Sequence, residues 1–110
     1  MTEHQRIQAA CSKLKEYWYT HKPMCILCLQ GVKRGQADLV HKIRRSETSD
    51  IWSTFELQTM KENTGLGHRV CHNIFDNDLS MAKYLPGFNQ VMRDIKRIDI
   101  KIYNKLKSRL

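Results

Sequence analysis

Two pairs of residues carry the strongest chemical signal in this sequence: Cys25-x2-Cys28 and, after residues 29–67, His68-x2-Cys71. Thiolate and imidazole ligands in two such pairs are what a closed tetrahedral zinc site takes. Either pair alone is weak evidence, because neighbouring cysteines also occur by chance or in redox chemistry. Together they point to one structural zinc held by Cys25, Cys28, His68 and Cys71. The alternative is two buried cysteines and a surface histidine. His72 is left over from that set, and Asp76 and Asp78 follow it closely.

A staple of this kind suits the chain's size. At 110 residues a single domain is expected, and the apolar core of so short a chain is marginal. Metal binding would add directly to its folding free energy. Lys and Arg number 19 against 11 acidic residues, and the net charge of +8 favours an anionic partner, nucleic acid or an acidic surface, without choosing between them. The opening MTEHQRIQAACSKLKEYWY has no basic-then-apolar leader, and no stretch approaches the roughly 18 apolar residues of a membrane span. An intracellular, cytoplasmic setting is therefore expected, with no membrane contact. There, Cys11, Cys25, Cys28 and Cys71 read better as metal ligands and a spare thiol than as disulfides.

The elements that must position these residues follow from periodicity. Thr2 and Gln5 have capping-box spacing, and Ile7, Cys11, Leu14 and Trp18 recur at helical intervals, so an amphipathic helix is expected over residues 3 to 20. Cys11 then belongs to the apolar stripe as a small buried hydrophobe. Trp18, between Tyr17 and Tyr19, reads as core packing rather than as a base-stacking platform. Pro23 ends this segment, and Cys25 and Cys28 fall on a hairpin knuckle with Gly31 and Gly35 supplying turns. ADLVHKI reads as a short strand with His41 at its end. Residues 46 to 62 stay open between a helical turn carrying Ile51, Trp52 and Phe55 and a long loop anchored by them. A short helix resumes at HRVCHNIFDNDLS and breaks at Pro86 and Gly87. Val91, Ile95, Ile98 and Ile102 form a stripe on one long basic helix expected over 88 to 108.

Taken in order, CILC, LVHKIRRS and NTGLGHRVCHNIFDND resemble the zinc-containing HNH nucleases of the ββα-metal, treble-clef type. The resemblance spans residues 25 to about 78 and leaves the flanking helices outside. It implies a zinc-bound core over 24 to 80, and with the N- and C-terminal helices expected from periodicity the fold is α+β. It also implies that His41 is the general base, that Asn63 orients it or its loop, and that His72 binds a catalytic cation. Asp76, at i+4 from His72, would share its helix face and help hold that ion, and Mg2+ or Mn2+ suits the mixed oxygen and nitrogen set. Such chemistry needs a water deprotonated near neutral pH and a cation on the phosphate. Taken singly, His41 is more often a hydrogen-bonded core histidine, Asn63 is equally a turn residue before Gly65, and Asp76 is usually a solvated carboxylate. One position departs from the family: Val40 stands where a metal-ligating aspartate or histidine is usual, leaving Asp38, Asp76 or Asp78 to compensate.

Arg44 and Arg45, just past His41, are placed to clamp a phosphate, and Arg93, Arg97, Lys101 and Lys105 fall at i+4 steps that could follow a second stretch of DNA backbone. Asp94 and Asp99 interrupt that stripe, so an ordinary solvated face is the alternative. The expected function is a metal-dependent DNA endonuclease, of a size that suits a phage or mobile-element protein. A zinc-stabilised DNA-binding module without catalysis is the second reading, and a zinc-stapled protein that binds an acidic protein partner the third. Apolar residues on the terminal helices exceed what one small core needs, which leaves a homodimer open.

Overall fold

In a computed structural model that describes residues 1–110, the expected capping box is formed. Thr2 Oγ1 accepts from the Gln5 amide at 3.2 Å, and the Gln5 side chain accepts from the Thr2 amide at 2.9 Å. Helix α1 runs Glu3–His21 from this cap and packs its inner face on the two ends of a small sheet. Trp18 donates its indole N–H to Thr64 Oγ1 at 2.9 Å, and the Tyr19 hydroxyl both accepts from the Ala37 amide and donates to the Ala37 carbonyl. These aromatics are core and clamp, as their helical spacing implied. Cys11 differs from expectation in being only half-buried, with its thiol 3.4 Å from the Gln58 carbonyl.

The sheet has two antiparallel strands, β1 (Ala37–His41) and β2 (Thr64–His68), with Ala37 opposite His68 and His41 opposite Thr64. Helix α3 (Arg69–Asn77) follows β2 without a gap. The fold is thus a mixed helix and strand domain in which β2 and α3 are contiguous. Glycine is required in β2 by close approach: a Cβ on Gly67 would lie 2.6 Å from Val40 Cγ2. The Cys25–Cys28 segment forms the expected tight knuckle, bridged at Met24 and Gly31, with the Cys25 amide donating to the Gln30 carbonyl at 2.8 Å. The residue that turns it in the left-handed region is Leu29, at φ 64°, rather than Gly31. Hydrogen bonds from Ile26 to Leu66 and from Gly87 to Leu27 fix the knuckle between β2 and the C-terminal helices.

Residues 46 to 62 combine both open alternatives. A loop over 46–53 is anchored by Trp52, whose indole donates to the Ile98 carbonyl at 2.9 Å, while Ile51 is exposed. Ser53 and Glu56 then cap a short helix, α2 (Thr54–Thr59), and a single 3-10 turn over Lys61–Asn63 leads into β2. After α3 come one turn, α4 (Leu79–Ala82), and the C-terminal region.

The single basic helix expected over 88 to 108 is two helices, α5 (Phe88–Ile98) and α6 (Ile100–Lys107). The break has a local cause. Asp99 is extended (φ −154°, ψ 102°) and almost fully buried, and its carboxylate accepts from the Lys101 and Ile102 amides as the N-cap of α6. Its other oxygen accepts from Ser49 Oγ at 2.6 Å, tying the 46–53 loop to the break. Asp99→Ala removes a helix cap and leaves those amides and the Ser49 hydroxyl without their acceptor. Loss of about 2 kcal/mol of stability is expected, read from the denaturant midpoint.

Candidate functional site

The four ligands expected for zinc converge. One donor atom from each of Cys25, Cys28, His68 and Cys71 lies within 4.8 Å of the others, and Cys28 Sγ is 3.2 Å from His68 Nδ1. A tetrahedral zinc with bonds of ~2.3 Å to sulfur and ~2.0 Å to nitrogen separates its ligands by roughly 3.5–3.8 Å, so this donor set fits that ion. Three elements deliver it. The knuckle brings Cys25 and Cys28, β2 ends on His68, and the first turn of α3 carries Cys71. Burial works to raise the Cys25 thiol, but the amides of Cys28, His68 and Leu27 outweigh it and bring Cys25 down to about 7. Burial and the nearby sulfurs of Cys25 and Cys28 push Cys71 up to about 12. Three thiolates at this separation repel one another, and a bound cation would relieve that repulsion.

A cleft of about 380 Å³ is lined by His41, Arg44, Arg45, Gln58, His72 and Asp76, among others. His41 sits at the end of β1 as expected. Its Nε2 lies 2.8 Å from the Gln58 carbonyl, which can only accept, so Nε2 carries the proton. In the neutral ring Nδ1 is then the free base. Burial is the largest influence on this imidazole and holds it below the ordinary histidine value; the Gln58 carbonyl pulls upward, while Arg45 acts with burial.

Asn63 is fully buried and ties together the two segments that hold His41. Its Oδ1 accepts from the Ile43 amide at 2.7 Å, and its Nδ2 donates to the carbonyls of Ile43 and Leu57. Ile43 lies two residues past His41, and Leu57 directly precedes Gln58. Asn63→Ala would strand one amide and two carbonyls in the interior, and about 3 kcal/mol of destabilisation is expected by chemical denaturation. Asn63 is therefore more than the turn residue its position before Gly65 allowed.

His72 is held between two carboxylates. Nδ1 is 3.1 Å from Asp38 Oδ2, and Nε2 is 3.0 Å from Asp76 Oδ2, the i+4 partner expected on α3. Burial raises the Asp38 carboxyl, but His72 and Arg69 outweigh it and hold Asp38 below its ordinary value. Asp78 is engaged elsewhere, capping α4 through the Met81 amide. Val40 is completely buried against Gly67 and takes no part in the cleft. Of the residues that could stand in for a ligand at position 40, Asp38 and Asp76 reach His72.

The expected cationic residues divide. Arg44 is spent internally: it donates to the Asp76 carbonyl at 2.9 Å and sits 3.7 Å from the buried carboxylate of Glu47. Arg45 is exposed, lines the cleft and makes no ion pair. The stripe Arg93, Arg97, Lys101 and Lys105 is divided between α5 and α6 by the break at Asp99, and most of it is paired. Arg97 pairs with Asp94, Lys101 with Asp50 and Lys105 with Glu47, while Arg93 bonds to Gln90. Sequence reasoning gave no role to Gln58, whose carbonyl orients His41, since any residue type supplies a backbone carbonyl. Nor could it place Glu47, which holds Arg44, Lys105 and Arg109 together. No helix is long and apolar enough to cross a membrane. Protein-family models, curated proteins and solved structures all give no match to this chain, so its site geometry is the ground for a functional assignment.

Proposed function

We propose that the chain is a metal-dependent endonuclease of the HNH type that hydrolyses DNA phosphodiester bonds, on a treble-clef core with a structural zinc. What carries the reading is one cleft in which His41, His72 and Asp76 meet beside Arg45, with His72 and Asp76 on α3, the helix that also carries Cys71 of the Cys25, Cys28, His68 and Cys71 cluster. His41 enters neutral, because burial holds it below its usual value, and its Nδ1 takes a proton from the attacking water. Asn63 keeps Ile43 and Leu57 in register so that this imidazole points at the cleft. His72 Nε2 and Asp76 would hold the divalent ion between them, and Asp38 would accept from Nδ1–H and so turn Nε2 toward it. When bound, Mg2+ or Mn2+ supplies charge neutralisation on the phosphate and on the departing sugar oxygen. Arg45 offers a guanidinium to the phosphate.

A non-catalytic DNA-binding module is favoured by one observation: both ring nitrogens of His72 already have carboxylate partners, an arrangement complete without an ion. The two readings separate on Mn2+ binding and plasmid nicking by the wild type and His72→Ala, each with its zinc content verified. The nuclease reading expects Mn2+ to bind and support nicking by the wild type, with both lost in His72→Ala. Equal Mn2+ binding by the two proteins overturns the assignment of the ion to His72.

A further inference from the structure

Gln58 holds the backbone carbonyl that orients His41, yet its side chain is unused by that role. The residue is 4 % exposed and lines the cleft with Arg45 and Ser46, but its carboxamide hydrogen-bonds to no protein group. The carboxamide keeps the little surface the residue has without a protein partner, whereas most buried amides are paired, and beside a cleft this points to a ligand that completes it. Its position is not free to drift. The Gln58 carbonyl takes hydrogen bonds from His41 at 2.8 Å and from the Cys11 thiol at 3.4 Å, and the preceding residue is held by Asn63. Beside it, Arg45 has no ion pair and the Ser46 hydroxyl has no partner. Three donors without a protein partner, those of Arg45 and Ser46 open to solvent, therefore line the cleft together, and the acids lining it reduce to Asp76, which is engaged with His72. An acceptor that bears negative charge on several oxygens matches that wall.

Resting on the phosphodiesterase reading of this cleft, we infer that Gln58, with Arg45 and Ser46, forms an oxyanion subsite that grips a non-bridging oxygen of the phosphate through the Gln58 Nε2–H group. Gln58 thus aligns phosphorus with the free Nδ1 side of His41. The same residue places the base through its main chain and the phosphate through its side chain. No bond is made or broken at Gln58.

Inorganic phosphate, titrated into zinc-loaded protein 15N-labelled at glutamine, provides the test. The Gln58 side-chain NH2 resonances are expected to shift saturably with phosphate. Gln58→Met, which keeps the volume and removes the donors, should weaken phosphate binding at least tenfold without lowering Tm, because no protein hydrogen bond is lost. Gln58→Glu, nearly identical in shape but anionic, should weaken it further. In nicking assays KM for DNA should rise more than kcat falls for Gln58→Met, an effect that a purely structural role would not produce. Phosphate affinity unchanged in both variants, or side-chain resonances that do not move, overturns the subsite. Nicking by wild type with kcat/KM unchanged in Gln58→Met removes the subsite and leaves the nuclease standing. Phosphate binding that depends on Gln58 in a wild type that never nicks keeps the subsite and removes the nuclease.

Discussion

Chelating the metal from the cluster of Cys25, Cys28, His68 and Cys71 is expected to unfold the domain rather than loosen one loop. The four donors come from the knuckle, the end of β2 and the start of α3, so the site joins three elements that otherwise share one small core. Structural zinc contributes about 10–16 kcal/mol in small domains, against a net stability of about 5–15 kcal/mol for a typical one, so little should remain without it. Cys25, with no exposed surface, makes the sharper variant: Cys25→Ser should lose zinc and far-UV helix signal together. Affinity must also fall with acid, because zinc binds thiolate and neutral imidazole and releases protons as it does so. Circular dichroism during chelation, with released zinc measured in the same sample, checks the effect. A cooperative melt that persists after all zinc has gone would show that the apolar core suffices and that the cluster is not a staple.

His41→Ala is expected to lower the nicking rate by about 10²–10⁴-fold at neutral pH with zinc content kept and the protein folded at the assay temperature, Tm falling modestly as the Gln58 carbonyl loses its donor, since a positioned general base contributes on that scale. The sign of the pH dependence follows from burial. His41 is held below its ordinary value, so it is already neutral at pH 7, and the wild-type rate should rise through an inflection below the usual histidine range and then level off. The residual rate of His41→Ala should lack that inflection. Rates measured from pH 5 to 8 on supercoiled plasmid separate the two proteins. An inflection that survives in His41→Ala would assign the proton acceptor elsewhere.

Much of this arrangement was legible in the residues because its parts are side-chain chemistry at fixed spacing. The two ligand pairs come together as their spacing implied, His41 ends a strand, and Asp76 reaches His72 one helical turn away. What escaped was long-range or backbone-borne. A buried aspartate at 99 reads as a charge in a helical stripe until Ser49, fifty residues earlier, is found beside it. Val40, where the resemblance leads one to look for a ligand, is buried against Gly67, while Asp38, two residues earlier on the same face of β1, is the one that meets His72. Arg44 and Arg45 are adjacent and chemically equal in the sequence; only packing against Glu47 and Asp76 makes one internal and leaves the other exposed.

The most direct measurement is single-turnover conversion of supercoiled plasmid to nicked circles by zinc-loaded wild-type protein across a Mn2+ titration. A nicking rate that climbs with Mn2+ and saturates is the expected result, with the zinc still bound at the end. Plasmid that is retarded by the protein yet stays supercoiled at every Mn2+ and Mg2+ concentration would contradict it, and would mean that Asp38 and Asp76 hold His72 as a structural triad in a domain that binds DNA without cutting it.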